Sequence, residues 1–143
     1  MKKIEDITPE EFLPYWVEAL RSGEYGQATN YLGKNKGNKY CCLGVACVIL
    51  NKIAGQEPDW REYNGDYYLE SGGEKSVLSG KEELLFNSPT GQTKDGIESL
   101  AEMNDLGATF DEIADFIEAN PEQIFKNWKG TKLLSSFTHK EMV

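Results

Sequence analysis

Three cysteines stand close together, Cys41, Cys42 and Cys47. A thiol becomes a nucleophile when its pKa falls, which a helix N-terminus and a neighbouring base can bring about. Cys41 and Cys42 open a helix-patterned stretch, but the one histidine, His139, lies far along the chain in the C-terminal tail. Free cysteine is also among the most buried residue types. The three therefore read as the apolar start of a core helix, with Cys41 the nucleophile if the chain is a small hydrolase. The spacing is not C-x-x-C and no histidine is near, so a tetrahedral ligand set is missing, and neither a metal nor a cofactor is expected.

Lys34, Lys36 and Lys39, with Gly33 before them and Gly37 among them, form a basic loop that leads into that helix. Helix N-termini present unpaired N–H groups and a positive dipole end, which suits phosphate. No Walker-type G-K-[ST] ending is present, so the signal is compositional. Asp111, Asp115 and Glu118 fall on one helical face. They are either a solvated acidic surface or a carboxylate pair for acid–base work. Asn104 and Asp105 precede Gly107 and either end a helix through local hydrogen bonds or point into a cleft. Tyr25, Tyr31, Tyr40, Trp60, Tyr63, Tyr67 and Tyr68 either roof the core or wall a site for a planar ligand.

Composition narrows the field. Fifteen basic residues against 24 acidic ones give a net charge of −9, and only Arg21 and Arg61 are arginine. Nucleic-acid binding needs dense phosphate-neutralising charge, so it is disfavoured. No stretch is apolar and long enough to span a membrane. Met1-Lys2-Lys3-Ile4-Glu5-Asp6 turns acidic before a hydrophobic run develops, unlike a signal peptide. A single domain over residues 1–143 in the cytoplasm of the cell, with reduced thiols, is the expectation.

The elements that must position these residues are mostly helical. Thr8, Pro9 and Glu11 make a capping box with proline in the first turn. Pro14 then kinks or restarts that helix, Trp16, Val17 and Leu20 form its apolar stripe, and Gly23 stops it. Residues 24–38 read as irregular. Cys42, Val45, Ala46, Ile49, Leu50 and Ile53 share one helical face, widened by Leu43 and Val48, and Gly55 ends the helix. Asn64-Gly65 between Trp60–Tyr63 and Asp66–Leu69 predicts a hairpin. Ser79 with Glu82 caps a short helix carrying Leu84 and Leu85. Ile97, Leu100, Ala101 and Met103 predict another. Thr109 to Glu112 is a second capping box, before Ile113, Phe116 and Ile117. Asn120-Pro121 opens a last helix carrying Ile124, Phe125 and Trp128. The fold class is α+β: helices around a central buried helix, with a small antiparallel β-hairpin or sheet.

Three blocks carry a family resemblance: Trp16-Val17-Glu18-Ala19-Leu20-Arg21-Ser22-Gly23-Glu24-Tyr25 with Gln27, then Tyr40-Cys41-Cys42-Leu43-Gly44-Val45 with Cys47, then Leu100-Ala101-Glu102-Met103-Asn104-Asp105-Leu106-Gly107 leading to Phe110 and Glu112-Ile113-Ala114-Asp115. In order and spacing the chain resembles a family of small, mostly uncharacterised proteins encoded by bacteriophages and prophages. The resemblance implies a phage origin and assigns no activity of its own; that setting, together with the lysine loop, Arg21, Tyr25 and Tyr40, points to work by binding, as a counter-defence factor that sequesters a small anionic, nucleotide-like host signal. Arg21, Tyr25, Gln27, Lys36, Lys39, Tyr40, Asn104 and Asp105 are its candidate ligand-binding residues. The alternatives are an acidic protein-binding inhibitor of a host factor, and a small hydrolase using Cys41 or a carboxylate pair. Partners are then a small anion or a host protein, with self-association left open.

Overall fold

The computed structural model describes residues 3–29, 32–34, 38–58, 60–63, 66–69, 78 and 80–130. Helix α1 spans Pro9–Arg21. Its start is fixed reciprocally: the Glu11 N–H donates to the Thr8 hydroxyl at 3.2 Å, and the Thr8 N–H donates to the Glu11 carboxylate at 3.1 Å. The helix continues through Pro14 without a restart. The proline removes one intrahelical bond, while burial of Phe12, Trp16, Val17 and Leu20 keeps the turns on either side in place.

Helix α2 spans Cys42–Ile53. Cys42, Leu43, Val45, Ala46, Cys47, Ile49 and Leu50 are all buried, so it is enclosed on most sides, as its apolar spacing predicts. Gly55, at φ 74°, takes the chain out of it in the left-handed region that a side chain disfavours. Helices α3, α4 and α5 span Leu100–Asp105, Phe110–Ala119 and Pro121–Ile124. The second capping box opens α4, with Glu112 N–H to Thr109 hydroxyl at 3.1 Å and Thr109 N–H to Glu112 carboxylate at 2.9 Å. α3 begins later than its apolar pattern implies. Ser99 caps it by accepting from the Glu102 N–H, and Ile97 stays outside the helix and exposed. α5 is a single turn, so Phe125 and Trp128 follow it rather than ride on it. A 3-10 turn at Gly80–Glu83 replaces the short helix expected there, with Leu85 buried and Leu84 exposed. Ser79 lies outside the described residues.

Five strands make one sheet: β1 Gly26–Gln27, β2 Gly33–Lys34, β3 Lys39–Tyr40, β4 Trp60–Tyr63 and β5 Asp66–Leu69, in the order β1-β3-β2-β5-β4. β1 and β3 pair in parallel, whereas the other neighbours are antiparallel. The α+β class stands, with the sheet mixed instead of wholly antiparallel. The stretch expected to be irregular supplies β1 and β2. Strands of two residues are too short to show alternation, so they leave no periodic trace in the sequence. The Asn64-Gly65 turn lies outside the described residues.

The core is aromatic at its centre. Phe12 stacks on Trp16 at 5.4 Å, Trp16 meets Phe86 edge-on at 5.5 Å, and Phe86 packs on Phe125 at 5.5 Å. The Trp16 indole N–H donates to the Cys42 carbonyl at 3.1 Å and so locks α1 to the first turn of α2. α1 packs against α2 and α4, and α3 bridges the same two helices. Among the described residues no helix is long and apolar enough to cross a membrane.

Candidate functional site

The first turn of α2 is sealed. Asn104 is 1% exposed. Its Oδ1 accepts from the Cys42 N–H at 3.2 Å and from Gln27 Nε2 at 3.0 Å, and its Nδ2 donates to the Ala28 carbonyl at 2.7 Å. Gln27 Nε2 also donates to the Ala108 carbonyl at 2.7 Å. Cys41 is the N-cap, its sulfur accepting from the Gly44 N–H at 3.4 Å. Cys42 and Gly44 thus direct their N–H groups into the fold, and the helix terminus expected to receive a phosphate is closed to it. Gly44 is required by proximity. A Cβ there would stand 1.8 Å from the Leu32 carbonyl oxygen, where the chain entering β2 crosses α2 at backbone distance.

The thiols follow from this burial. Burial pushes the Cys41 thiol up to about 12, and the N–H groups of Gly44 and Leu43 offset only part of the rise. Burial likewise holds Cys42 and Cys47 well above the ordinary thiol value. Protonated, enclosed thiols lack the thiolate that nucleophilic catalysis needs.

Arg21 points away from these residues, toward α4. Its guanidinium bonds Asp115 at 2.5 Å and Glu118 at 2.9 Å. Burial pulls the arginine pKa down, but the hydrogen bonds and charges of Glu118 and Asp115 outweigh it and leave it raised. The arginine expected to meet an anion is therefore already held by two carboxylates, which also form part of the acidic α4 face. Asp105 ends α3 beside Asn104, and Lys39 is exposed on β3. Lys36 lies outside the described residues. Tyr25 meets Tyr40 edge-on at 5.9 Å, and Tyr40 stacks on Trp60 at 6.1 Å. All three pack against the core. These three rings rest on one another.

Of the predicted residues, the fold brings Gln27 and Asn104 into one hydrogen-bonded clamp and Tyr25 and Tyr40 into one ring contact, while Arg21 stands apart. An open groove of about 510 Å³ lies elsewhere, between α1 and the C-terminal half of α2. Glu11, Tyr15 and Glu18 of α1, with Ser22 at its C-cap, form one wall, with Ala19 beneath. Ile49, Lys52 and Ile53 form the α2 wall, and Glu24 and Tyr25 close one end. Tyr25 is the one predicted residue that lines it. Tyr15 is 57% exposed, an aromatic ring on the polar side of an amphipathic helix. That placement was the available signal: the 11-15-18-22 stripe lies on the face of α1 opposite its apolar residues. Glu11 is engaged by Thr8, whereas Glu18, Glu24 and Lys52 have no ion-pair partner among the described residues. Three glutamates against one lysine give the groove an acidic lining.

Residues 10–121 match a family described as a domain of unknown function, DUF8296. No curated protein and no solved structure matches the chain.

Proposed function

Because the chain belongs to the DUF8296 family, a domain of unknown function that brings no reaction with it, we propose a function from the groove: a non-enzymatic binding protein that presents the α1/α2 face to a partner protein. The observation that carries this reading is the groove itself. It combines an exposed ring, an apolar floor of Ala19, Ile49 and Ile53, and the carboxylates of Glu18 and Glu24, which have no ion-pair partner among the described residues. Surfaces of this kind, an aromatic anchor inside a polar rim, are what protein interfaces use. Enclosed, protonated thiols and a carboxylate pair already occupied by Arg21 speak for binding over hydrolysis. In the phage setting that the three sequence blocks imply, the partner is a host protein and the chain acts as its acidic inhibitor.

The small-anion reading keeps one supporting feature, the exposed Lys39 next to Tyr40 at the Tyr25–Tyr40 contact. It loses Arg21 to α4 and the α2 terminus to Asn104, which is why the protein-binding reading is preferred.

Site-specific photo-cross-linking in host lysate tests the choice. A photoreactive residue at Tyr15 is expected to capture a partner that the same residue at Asp111, on α4, does not. Capture from Asp111 alone moves the interface off the groove. A thermal shift of the purified protein with cyclic nucleotides or ADP-ribose derivatives returns the preference to the small anion, because a ligand of the folded state must raise its stability.

A further inference from the structure

We infer that the occupant of the groove is a basic segment of the partner, an arginine or lysine side chain seated against the Tyr15 and Tyr25 rings with Glu18 and Glu24 as its counter-charges. This rests on the proposal that the groove is the binding face, and adds the chemistry of what enters it.

Charge complementarity carries the inference. The lining holds Glu11, Glu18 and Glu24 against Lys52 alone. None of Glu18, Glu24 and Lys52 is neutralised by an ion pair among the described residues. The acidic surface of α4 differs: there Arg21 already supplies the cation. The C-terminal turn of α2, which brings Lys52 and Ile53 to the groove, adds the negative end of a helix dipole. Aromatic faces attract a cation through their quadrupole, and Tyr15 and Tyr25 line the same space as the carboxylates. Ile49 and Ile53 offer the methylene stem of a long basic side chain, or an apolar neighbour, a surface to cover. An anionic segment would meet Glu18 on the α1 wall and Glu24 on the loop that closes the groove.

The test uses an acetylated, amidated pentapeptide with a central arginine between leucines, its citrulline counterpart of the same shape without the charge, and its glutamate counterpart. Binding is followed by amide chemical shifts in the full-length protein. The arginine peptide is expected to move the amides of Glu18, Ser22, Glu24, Tyr25 and Lys52 and to bind about tenfold more tightly than the citrulline peptide, the gap that two partly exposed charge contacts supply. In the double variant Glu18→Gln, Glu24→Gln that gap closes; both residues are exposed, so the fold is kept. Lys52→Gln tightens arginine binding, and raising the salt concentration weakens it.

Citrulline or glutamate peptides that bind the groove as well as arginine overturn the cation inference and leave the groove reading standing. Free arginine amide binding as tightly as the pentapeptide also overturns it, in favour of a small-cation site. If no peptide moves the groove amides, the inference falls. If the Tyr15 cross-linker also captures nothing while Asp111 captures a partner, the groove reading falls with it.

Discussion

At its first turn α2 meets Asn104, Cys41, Gly44 and the Leu32 carbonyl, and every one of these polar groups is bonded to another within the fold. At its last turns the same helix shows Ile49, Lys52 and Ile53 to an open groove whose carboxylates Glu18 and Glu24 have no ion-pair partner among the described residues. Both ends carry residues that chemistry could use. The difference lies in what already holds them. Buried polar groups must be satisfied or they cost about 1–3 kcal/mol each, so the enclosed end serves structure. The exposed end has water as its partner and can exchange it for a ligand at small cost.

The contrast can be broken at either end, and the largest effect belongs to the sealed one. Gly44→Ala places a methyl group on the Leu32 carbonyl, and backbone must move. A loss of about 3 kcal/mol in urea unfolding is expected; a loss below about 1 kcal/mol would show that the crossing is looser than the structure has it. Asn104→Ala leaves the Cys42 N–H and the Ala28 carbonyl without their partner. It should cost about 2 kcal/mol, while Gln27→Ala, at the exposed edge of the same clamp, costs less.

The thiols sharpen the comparison through pH. A thiol whose folded pKa is raised leaves stability intact below its ordinary value of 9.0, and stability then falls as pH rises toward about 12. Above the ordinary value an enclosed thiol that stays protonated only in the folded state lowers stability by on the order of 1 kcal/mol per pH unit. Unfolding midpoints measured from about pH 8 to about pH 10.5 should drop, and Cys41→Ala should shallow the slope. A flat profile, or fast alkylation of Cys41 in the native protein, would contradict an enclosed thiol.

Smaller effects come from the surface. Arg21→Ala removes a half-exposed ion pair with Asp115 and Glu118 and should cost less than about 1 kcal/mol, less still in high salt. Glu18→Gln with Glu24→Gln should leave the unfolding midpoint within error of the parent while changing binding. A stability loss from that pair would mean that the groove is bonded into the fold as firmly as the sealed end.

Much of the fold was legible because it is written locally. Thr8 with Glu11 and Thr109 with Glu112 are three residues apart, so their caps could be read directly and are present as bonds. The stripe from Cys42 to Ile53 announced the central helix for the same reason. Other features had no local trace. β1, β2 and β3 are two residues long. The α3 cap did have one: Ser99 stands three residues before Glu102 and accepts from its N–H, but the apolar spacing from Ile97 obscured it. The candidate site was less legible still. Tyr25 was found through its aromatic type, but Tyr15, Glu18 and Lys52 looked like ordinary polar-face residues of two separate helices.

The sequence by itself determined where α1, α2 and α4 begin, that α2 is buried, and that the chain is α+β, because caps and periodicity depend on neighbours three or four positions away. Tertiary structure alone decided which polar residues are already engaged. Asn104 meets Cys42 across 62 positions and Gln27 across 77, and Arg21 meets Asp115 across 94. Such meetings turn candidate ligands into clamps. Along the α1/α2 groove no such ion pair forms among the described residues, which leaves Glu18 and Glu24 to a partner.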